Sequence, residues 1–208
     1  MGTFAGHAIP GSFFIVFSLW HCLQISIRHF RSRTHGAKPF KSCTYFKSPC
    51  SPTAPVESAL KLGSCVVGIA GETATAIRWN KEERAYRFVN WGNSQHITMF
   101  GFFALSALVE ILHFYQLNLP PDSIYVANTM AFAVEALLFY WHLQHDGRTP
   151  MDVQIHYLLL YVVITTCIIC LLEMQRRSLV LPALSRCYLI LLQGTWFWQV
   201  KAYNLSIP

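Results

Sequence analysis

Six long apolar runs constrain the fold of this chain more than any other feature. They lie at residues 10–29, 56–77, 96–113, 124–142, 153–173 and 179–198. An α-helix rises about 1.5 Å per residue, so runs of about 18–20 residues match a bilayer hydrocarbon core of about 30 Å. Only 12% of the residues are charged, about half the fraction that is usual in soluble domains. The sequence therefore predicts an all-α, multi-pass transmembrane helix bundle with six spans and a single domain over residues 1–208.

Two segments lie outside these runs. Residues 30–56 are rich in Ser, Thr, Pro and basic groups, which predicts an irregular polar, basic loop, and residues 199–208 form a short tail. The first run lacks a basic leader and a small-residue cleavage site, so we expect it to be retained as a helix rather than removed as a signal peptide. The second run is the least apolar, but Gly63, Gly68 and Gly71 favour close helix packing in a bilayer.

The Lys and Arg residues are distributed unequally between the two sides of a six-span bundle. Ten lie in or beside the first, third and fifth loops, and five lie in the second and fourth loops. The positive-inside rule then predicts that the N-terminus is lumenal or extracellular. No retrieval signal identifies the organelle.

The formal net charge of +6 does not by itself indicate nucleic-acid binding, because the basic residues gather beside apolar runs, where they orient membrane proteins. The seven cysteines include no pair at zinc spacing outside an apolar run, so most are expected to be small buried apolar residues. Cys43 and Cys50, in the polar loop, are candidates for a disulfide or for acylation. The expected partners are membrane lipids, with no nucleic acid, and small-residue helix faces also permit a homo-oligomer.

Histidines mark one end of the predicted bundle. His96 opens the third run, His142 closes the fourth and His156 opens the fifth, so the alternation of spans brings all three to one membrane face. Glu135 precedes His142 by two helical turns, on the same helix face and about 10 Å deeper. The remaining members of this predicted polar cluster are His7, Glu72 and His145.

Three functions are compatible with that cluster. In a non-enzymatic membrane protein, the polar groups would serve packing, hydrogen bonding or partner binding. In a metal-dependent hydrolase of a lipid or amide, His96, His142 and His156 would bind zinc, and Glu135 would be a fourth ligand or general base. The third function is a proton or ion path. A carboxylate in a span costs roughly 2.5–3.5 kcal/mol or more, and it usually faces the bundle interior or a wet cavity, through which protons or ions can move. Position rather than a motif supports each hypothesis, so the activity and the catalytic residues are left open, with zinc as the candidate cofactor.

Other polar positions suggest individual hydrogen bonds. Glu110 and His113, near the far end of the third run, are expected to bond to each other, whereas Glu173, at the end of the fifth, is expected to be solvated. His21 and Gln193 are expected to bond between helices.

Several segments resemble the transmembrane protein 45 family: MGTFAGHAIPGSFF, QHITMFGFF, EALLFYWHLQH, DVQIHYLLLY and especially LILLQGTWFWQ. The resemblance covers most of residues 1–29 and 88–199. It implies a seven-helix membrane protein without an established biochemical activity, with matching polar positions at His96, Glu135, His142 and His156.

The chain departs from that family in three places. Trp91 and Gln95 are separated by Gly92-Asn93-Ser94, whereas the family has the Trp-Gln-His triplet contiguous, and residues 31–56 match poorly. The family also continues past Gln199 into a seventh span. The chain is therefore expected to be an isoform or an imperfect gene model that lacks the last helix. Without that helix, the bundle would have a groove about as wide as one helix.

Overall fold

The structure is a computed structural model that describes residues 4–34, 38–81, 84–90, 92–143 and 150–206. Within these residues it is built of six helices and one short hairpin. The helices are α1 (Phe4–Ser32), α2 (Val56–Ala76), α3 (Gly92–Phe114), α4 (Ser123–His142), α5 (Pro150–Gln175) and α6 (Val180–Ser206). The strands β1 (Ile77–Asn80) and β2 (Ala85–Phe88) pair antiparallel between α2 and α3.

The prediction of an all-α helix bundle is confirmed, and each of the six apolar runs is a helix. Four helices of the described chain are long and apolar enough to cross a membrane: Ala8–Ser32 of α1, and the whole of α3, α4 and α5. Helices α2 and α6 do not reach that apolarity. Polar residues such as Lys61 on α2 and Arg186 on α6 lower their mean hydropathy. The chain is therefore a membrane protein with four candidate spans, and the count of six stays a prediction.

From α2 to α6, each helix runs antiparallel to the next and packs against it, and α6 returns to α1. Helix α2 packs on α3, α3 on α4, α4 on α5, α5 on α6, and α6 on α1, whereas α1 and α2 touch only slightly. The starts of α1, α3 and α5 thus share one end of the bundle, the N-terminal end. The segment 38–55 lies at the other end, the loop end.

Glycines allow two of these helix pairs to approach closely. A Cβ built on Gly194 of α6 would lie 2.8 Å from the carbonyl oxygen of Gly11 on α1, so the two backbones touch. A Cβ on Gly68 of α2 would meet the ring of Phe100 on α3 at 2.7 Å. The prediction for the other two α2 glycines is wrong, because Gly63 and Gly71 are exposed and a Cβ on either would have nothing within 4 Å.

Aromatic rings fill the middle of the bundle. Phe14 on α1, Phe103 on α3 and Phe132 on α4 contact one another with ring centroids 5.3 to 6.5 Å apart. These rings lie between the two ends of the bundle, since each is central in its helix. They therefore separate the polar groups of the N-terminal end from those of the loop end.

The segment 38–55 has no regular secondary structure, as predicted, but it is not a solvated loop throughout. Ser42, Thr44 and Phe46 are buried, at 4%, 3% and 2% exposure. The backbone N–H of Ser42 donates to the carbonyl of Arg177, which ties the segment to the end of α5. Its alternate side chains thus enter the loop end of the bundle.

Candidate functional site

The three histidines predicted to share a membrane face come together at the N-terminal end. His96 is on α3, His142 on α4 and His156 on α5. The ring centroids of His96 and His142 are 6.2 Å apart, and those of His142 and His156 are 6.3 Å apart. His142 therefore contacts an imidazole from each neighbouring helix.

An oxygen atom faces the Nδ1 atom of each of these imidazoles. The Nδ1 of His96 is 3.1 Å from Oε1 of Glu72, and that of His142 is 3.1 Å from Oε1 of Gln95. The Nδ1 of His156 is 2.7 Å from the carbonyl oxygen of Asp152. Because carbonyl and carboxylate oxygens only accept, each Nδ1 donates, and a neutral imidazole then has its basic nitrogen at Nε2. Two of these bonds also join α2 to α3 and α3 to α4.

Glu135 lies deeper in the same region, on α4, and is fully buried. Its Oε1 accepts a hydrogen bond from Nε2 of Gln193 on α6. Its Oε2 has no hydrogen-bond partner in the described part of the chain, and neither does Oε1 of Gln193. Glu135 and the three imidazoles line one cavity of about 30 Å³, which has room for one or two waters.

The structure thus brings together His96, His142, His156, Glu135 and Glu72. The side chain of His7 and the whole of His145 lie outside what the structure describes. Among the described residues, no three His, Cys, Asp or Glu side chains are arranged so that they could hold a metal ion. The geometry supplies protonatable groups around a small cavity, which apolar side chains also line, rather than a formed metal centre.

A larger polar network, which the sequence did not predict, occupies the loop end. Glu57, near the start of α2, is 5% exposed. Its Oε1 lies 2.7 Å from Nε2 of His21 and 2.7 Å from Nζ of Lys61. Its Oε2 accepts from Nε1 of Trp20 at 2.7 Å and from the backbone N–H of Phe46 at 2.9 Å. One carboxylate thus joins α1, α2 and the segment 38–55.

Glu110 extends that network to α3. Its oxygens lie 3.0 Å from Nζ of Lys61, and its Oε2 accepts from the hydroxyl of Ser58 at 2.8 Å. The expected bond between Glu110 and His113 is replaced, because Nδ1 of His113 bonds the hydroxyl of Tyr45 at 3.0 Å. The side chains of Glu110 and His113 reach different elements.

Arg186 and Glu173 complete the network between α5 and α6. Nε of Arg186 donates to Oε2 of Glu173 at 2.6 Å, and the hydroxyl of Tyr125 donates to Oε1 at 3.1 Å. Arg186 is 3% exposed and Glu173 is fully buried. The prediction that Glu173 is solvated is therefore wrong, since a guanidinium and a phenol replace water around its carboxylate.

His21 joins the two halves of the network, and its partners fix its tautomer. Nη1 of Arg186 lies 3.2 Å from Nδ1 of His21. A guanidinium only donates, so Nδ1 accepts and Nε2–H donates to Glu57. His21 is then neutral, and the network holds three carboxylates against two cations. The expected interhelical bonds of His21 and Gln193 are both present.

The two loop cysteines differ in their surroundings. Burial raises the pKa of the Cys43 thiol, and Sγ lies 2.9 Å from Nη1 of Arg28 and 3.0 Å from the carbonyl of Tyr45. Cys50 is exposed, and both cysteines are free thiols. Cys43 is thus a partly buried thiol held by two hydrogen bonds, while Cys50 faces solvent.

A sequence model described as a family of unknown function (DUF716) matches residues 122–203 of the chain. The match spans α4, α5 and most of α6, which is less than half of the chain. It contains Glu135, His142 and His156, and also the buried pair Glu173 and Arg186. The similarity is confined to these three helices, and the description of the model assigns no activity.

Proposed function

We propose that this chain is a non-enzymatic, six-span membrane protein of the transmembrane protein 45 type, and that its His/Glu cluster binds protons. One observation carries the proposal. Glu135 is fully buried with one carboxyl oxygen unpartnered among the described residues, on the same cavity as three imidazoles.

A proton is the ligand that suits this arrangement. A buried carboxylate without a cationic partner is costly, so Glu135 requires a proton or a bound cation. Imidazole is the side chain that exchanges protons near neutral pH. The charged or titratable groups of the cluster are Glu72 on α2, His96 on α3, Glu135 and His142 on α4, and Asp152 and His156 on α5. A cavity for one or two waters allows protons to pass between Glu135 and the imidazoles.

The six-span topology is supported by how the two less apolar helices keep their charges. Helix α2 has 21 residues and α6 has 27, and a helix needs about 20 to cross a bilayer. Lys61 and Arg186 bind carboxylates inside the bundle, so neither presents an unpaired charge to lipid. The segments EALLFYWHLQH, DVQIHYLLLY and LILLQGTWFWQ, which carry the resemblance, lie within the residues matched by the family model. We further propose a lumenal or extracellular N-terminus, on the charge bias of the loops.

A metal-dependent hydrolase is the second candidate. Its support is that the Nδ1 atoms of His96, His142 and His156 are all held by oxygens, as they are in metal-binding histidines. The cavity of about 30 Å³ has no room for a lipid or amide substrate, which favours the non-enzymatic proposal. Ion conduction has less support, because the space between the two polar ends is lined mainly by apolar side chains, among them Phe14, Phe103 and Phe132.

Infrared difference spectroscopy of the purified, reconstituted protein tests the proposal. Between about pH 5 and pH 8, the range in which histidines titrate, we expect a carbonyl band of a protonated carboxylic acid that Glu135→Gln removes. Glu110→Gln is the matched control and leaves that band, because the Glu110 carboxylate is already paired with Lys61. We also expect imidazole bands that weaken in a His142→Gln, His156→Gln double variant.

Elemental analysis of the same sample separates the alternatives. We expect no stoichiometric metal and no proton flux through liposomes that contain the protein. About one zinc per chain, lost in the double histidine variant, would overturn the proposal in favour of the hydrolase. Spectra that Glu135→Gln leaves unchanged would overturn it without supporting any metal.

A further inference from the structure

A second cavity lies where the ring of helices is most loosely closed, and it shares only Pro10 and Met99 with the cavity of the His/Glu cluster. It has a volume of about 110 Å³ and is lined by α1, α2, α3, α4 and α6, and by Thr44 of the segment 38–55. Helices α1 and α2 touch only slightly. Phe13 and Phe17 of α1 and Ser64 of α2, on either side of this seam, are only partly buried. The cavity is therefore closest to the surrounding lipid between α1 and α2.

The cavity is apolar along most of its length and polar at one end. Six phenylalanines form its apolar walls: Phe13, Phe14, Phe17, Phe100, Phe103 and Phe132. His21, Thr44, Lys61 and Arg186 line its polar end, toward the loop end of the bundle. From Pro10 to His21 along α1, it extends about 16 Å at 1.5 Å per residue. A narrow site with these two ends suits one hydrocarbon chain with a small polar head.

The hydroxyl of Thr44 is the feature that points to a ligand. Thr44 is 3% exposed, and its Oγ1 has no hydrogen-bond partner within the described ranges. A buried hydroxyl without a partner is unfavourable, so such groups are almost always satisfied by protein, water or ligand. Its neighbour Lys61, in contrast, already binds Glu57 and Glu110.

The charges around the polar end select an uncharged head group. With His21 neutral, the network holds the carboxylates Glu57, Glu110 and Glu173 against Lys61 and Arg186. The two cations that line the cavity, Lys61 and Arg186, are already paired with these carboxylates, so an anionic head group would add to the excess of negative charge. A cationic head group would need a carboxylate, and none of these three lines the cavity.

We propose that this cavity binds an uncharged, single-chain lipid with a hydroxyl head group. The lipid enters from the bilayer between α1 and α2. Its hydrocarbon chain lies among the phenylalanines and its head group bonds Oγ1 of Thr44. The monoacylglycerols are the class of lipid with this chemistry.

Photocrosslinking of the full chain in phosphatidylcholine vesicles tests the proposal. The probe is a monoacylglycerol with a diazirine in its acyl chain, and the crosslinked residues are mapped by mass spectrometry. We expect adducts on the cavity-lining residues of α1 and α3, and we expect excess 1-monooleoylglycerol to prevent them. Oleate and oleylamine, which share the chain but carry a charge, should compete at least tenfold less well.

Two neighbouring residues of α2 provide the variant and its matched control. Ser64→Phe adds a ring at the seam, whereas Gly63→Phe adds the same ring where a Cβ meets nothing within 4 Å. Ser64→Phe should reduce crosslinking at least fivefold, and Gly63→Phe should leave it unchanged. Thr44→Val keeps the shape of the side chain and removes the hydroxyl, which should weaken competition by 1-monooleoylglycerol about fivefold, the usual effect of one hydrogen bond.

Four results would overturn the proposal. Adducts outside the cavity, or adducts that Ser64→Phe leaves unchanged, would show that the cavity is not the binding site. Equal competition by oleate or oleylamine would contradict the uncharged head group. More effective competition by cholesterol than by 1-monooleoylglycerol would show that the ligand is a sterol rather than a single-chain lipid. If Ser64→Phe does not elute as a single species in detergent, Thr44→Val and the charged competitors still decide the outcome.

Discussion

Replacing Arg186 by Met should destabilise the bundle more than replacing any surface arginine. The guanidinium donates to Glu173 through Nε at 2.6 Å and Nη2 at 3.4 Å, and the side chains of Arg186 and Glu173 are 3% and 0% exposed. Nη2 also donates to the carbonyl oxygen of Cys43, and Nη1 to His21. Without the arginine, a carboxylate remains in the interior with the hydroxyl of Tyr125 as its only described donor.

The size of the effect follows from the cost of leaving that charge unpaired. Breaking a buried ion pair by removing one partner costs about 3–5 kcal/mol. At about 2–4 °C per kcal/mol for a chain of this size, the apparent Tm should fall by roughly 6–20 °C. The assay is thermal unfolding of the detergent-purified protein, followed by the loss of the monodisperse peak in size-exclusion chromatography.

Two further variants make this prediction specific to the buried pair. Arg176→Met, on an exposed arginine of the same loop end, should change the free energy of unfolding by no more than about 0.5 kcal/mol. An Arg186→Met, Glu173→Leu double variant removes both charges and should recover at least half of the lost Tm, because apolar residues replace a buried ion pair at little cost. The reasoning is refuted if Arg186→Met lowers the Tm no more than Arg176→Met does, or if the double variant recovers less than half of the Tm that Arg186→Met loses.

Three other predictions test the α1–α6 contact, the loop-end network and the packing of the segment 38–55. Gly194→Ala puts a Cβ 2.8 Å from a backbone oxygen and should lower the free energy of unfolding by about 1–3 kcal/mol through overpacking. Gly63→Ala, whose Cβ lies in open space, should leave the Tm within about 2 °C. Equal Tm values for the two variants would contradict the α1–α6 contact. Lys61→Met leaves two buried carboxylates without their shared cation and should lower the Tm by roughly 6–20 °C, and an unchanged Tm would mean that the network is not formed. A maleimide at about pH 8 should label Cys50 at least tenfold faster than Cys43, whose raised pKa and burial keep it a thiol; equal labelling would show that the segment 38–55 is not packed into the bundle.

The helices can be predicted from the sequence because apolar run length is a local property. The run at residues 56–77 corresponds to the helix Val56–Ala76, and that at 124–142 to Ser123–His142. The histidine cluster can also be predicted, since the alternation of antiparallel helices alone brings His96, His142 and His156 to one end. The hairpin cannot, because the segment IRWNKEERAYRF is rich in charges and lacks a turn dipeptide typical of hairpins.

The loop-end network could not be predicted, because its bonds join residues far apart in sequence. Glu173 follows an apolar run and precedes two arginines, which suggests a solvated helix end. Only the position of Arg186 across the bundle shows why Glu173 is buried. The sequence nevertheless contains two local signals, namely the i,i+4 spacing of Glu57 and Lys61 and the presence of Arg186 within an apolar run.

That network also changes the argument for membrane orientation. Lys61 and Arg186 contribute to the positive charge of the loop end in the sequence, but each binds a carboxylate inside the bundle. The remaining loop-end cations are Arg28, Arg31, Arg33, Lys38, Lys41, Lys47, Arg176 and Arg177. Most of the bias therefore rests on the end of α1 and the segment that follows it, which contains Cys50. If the positive-inside rule acts through that segment, an impermeant maleimide should label Cys50 in permeabilised cells and not in intact cells, and labelling in intact cells would reverse the orientation of the bundle.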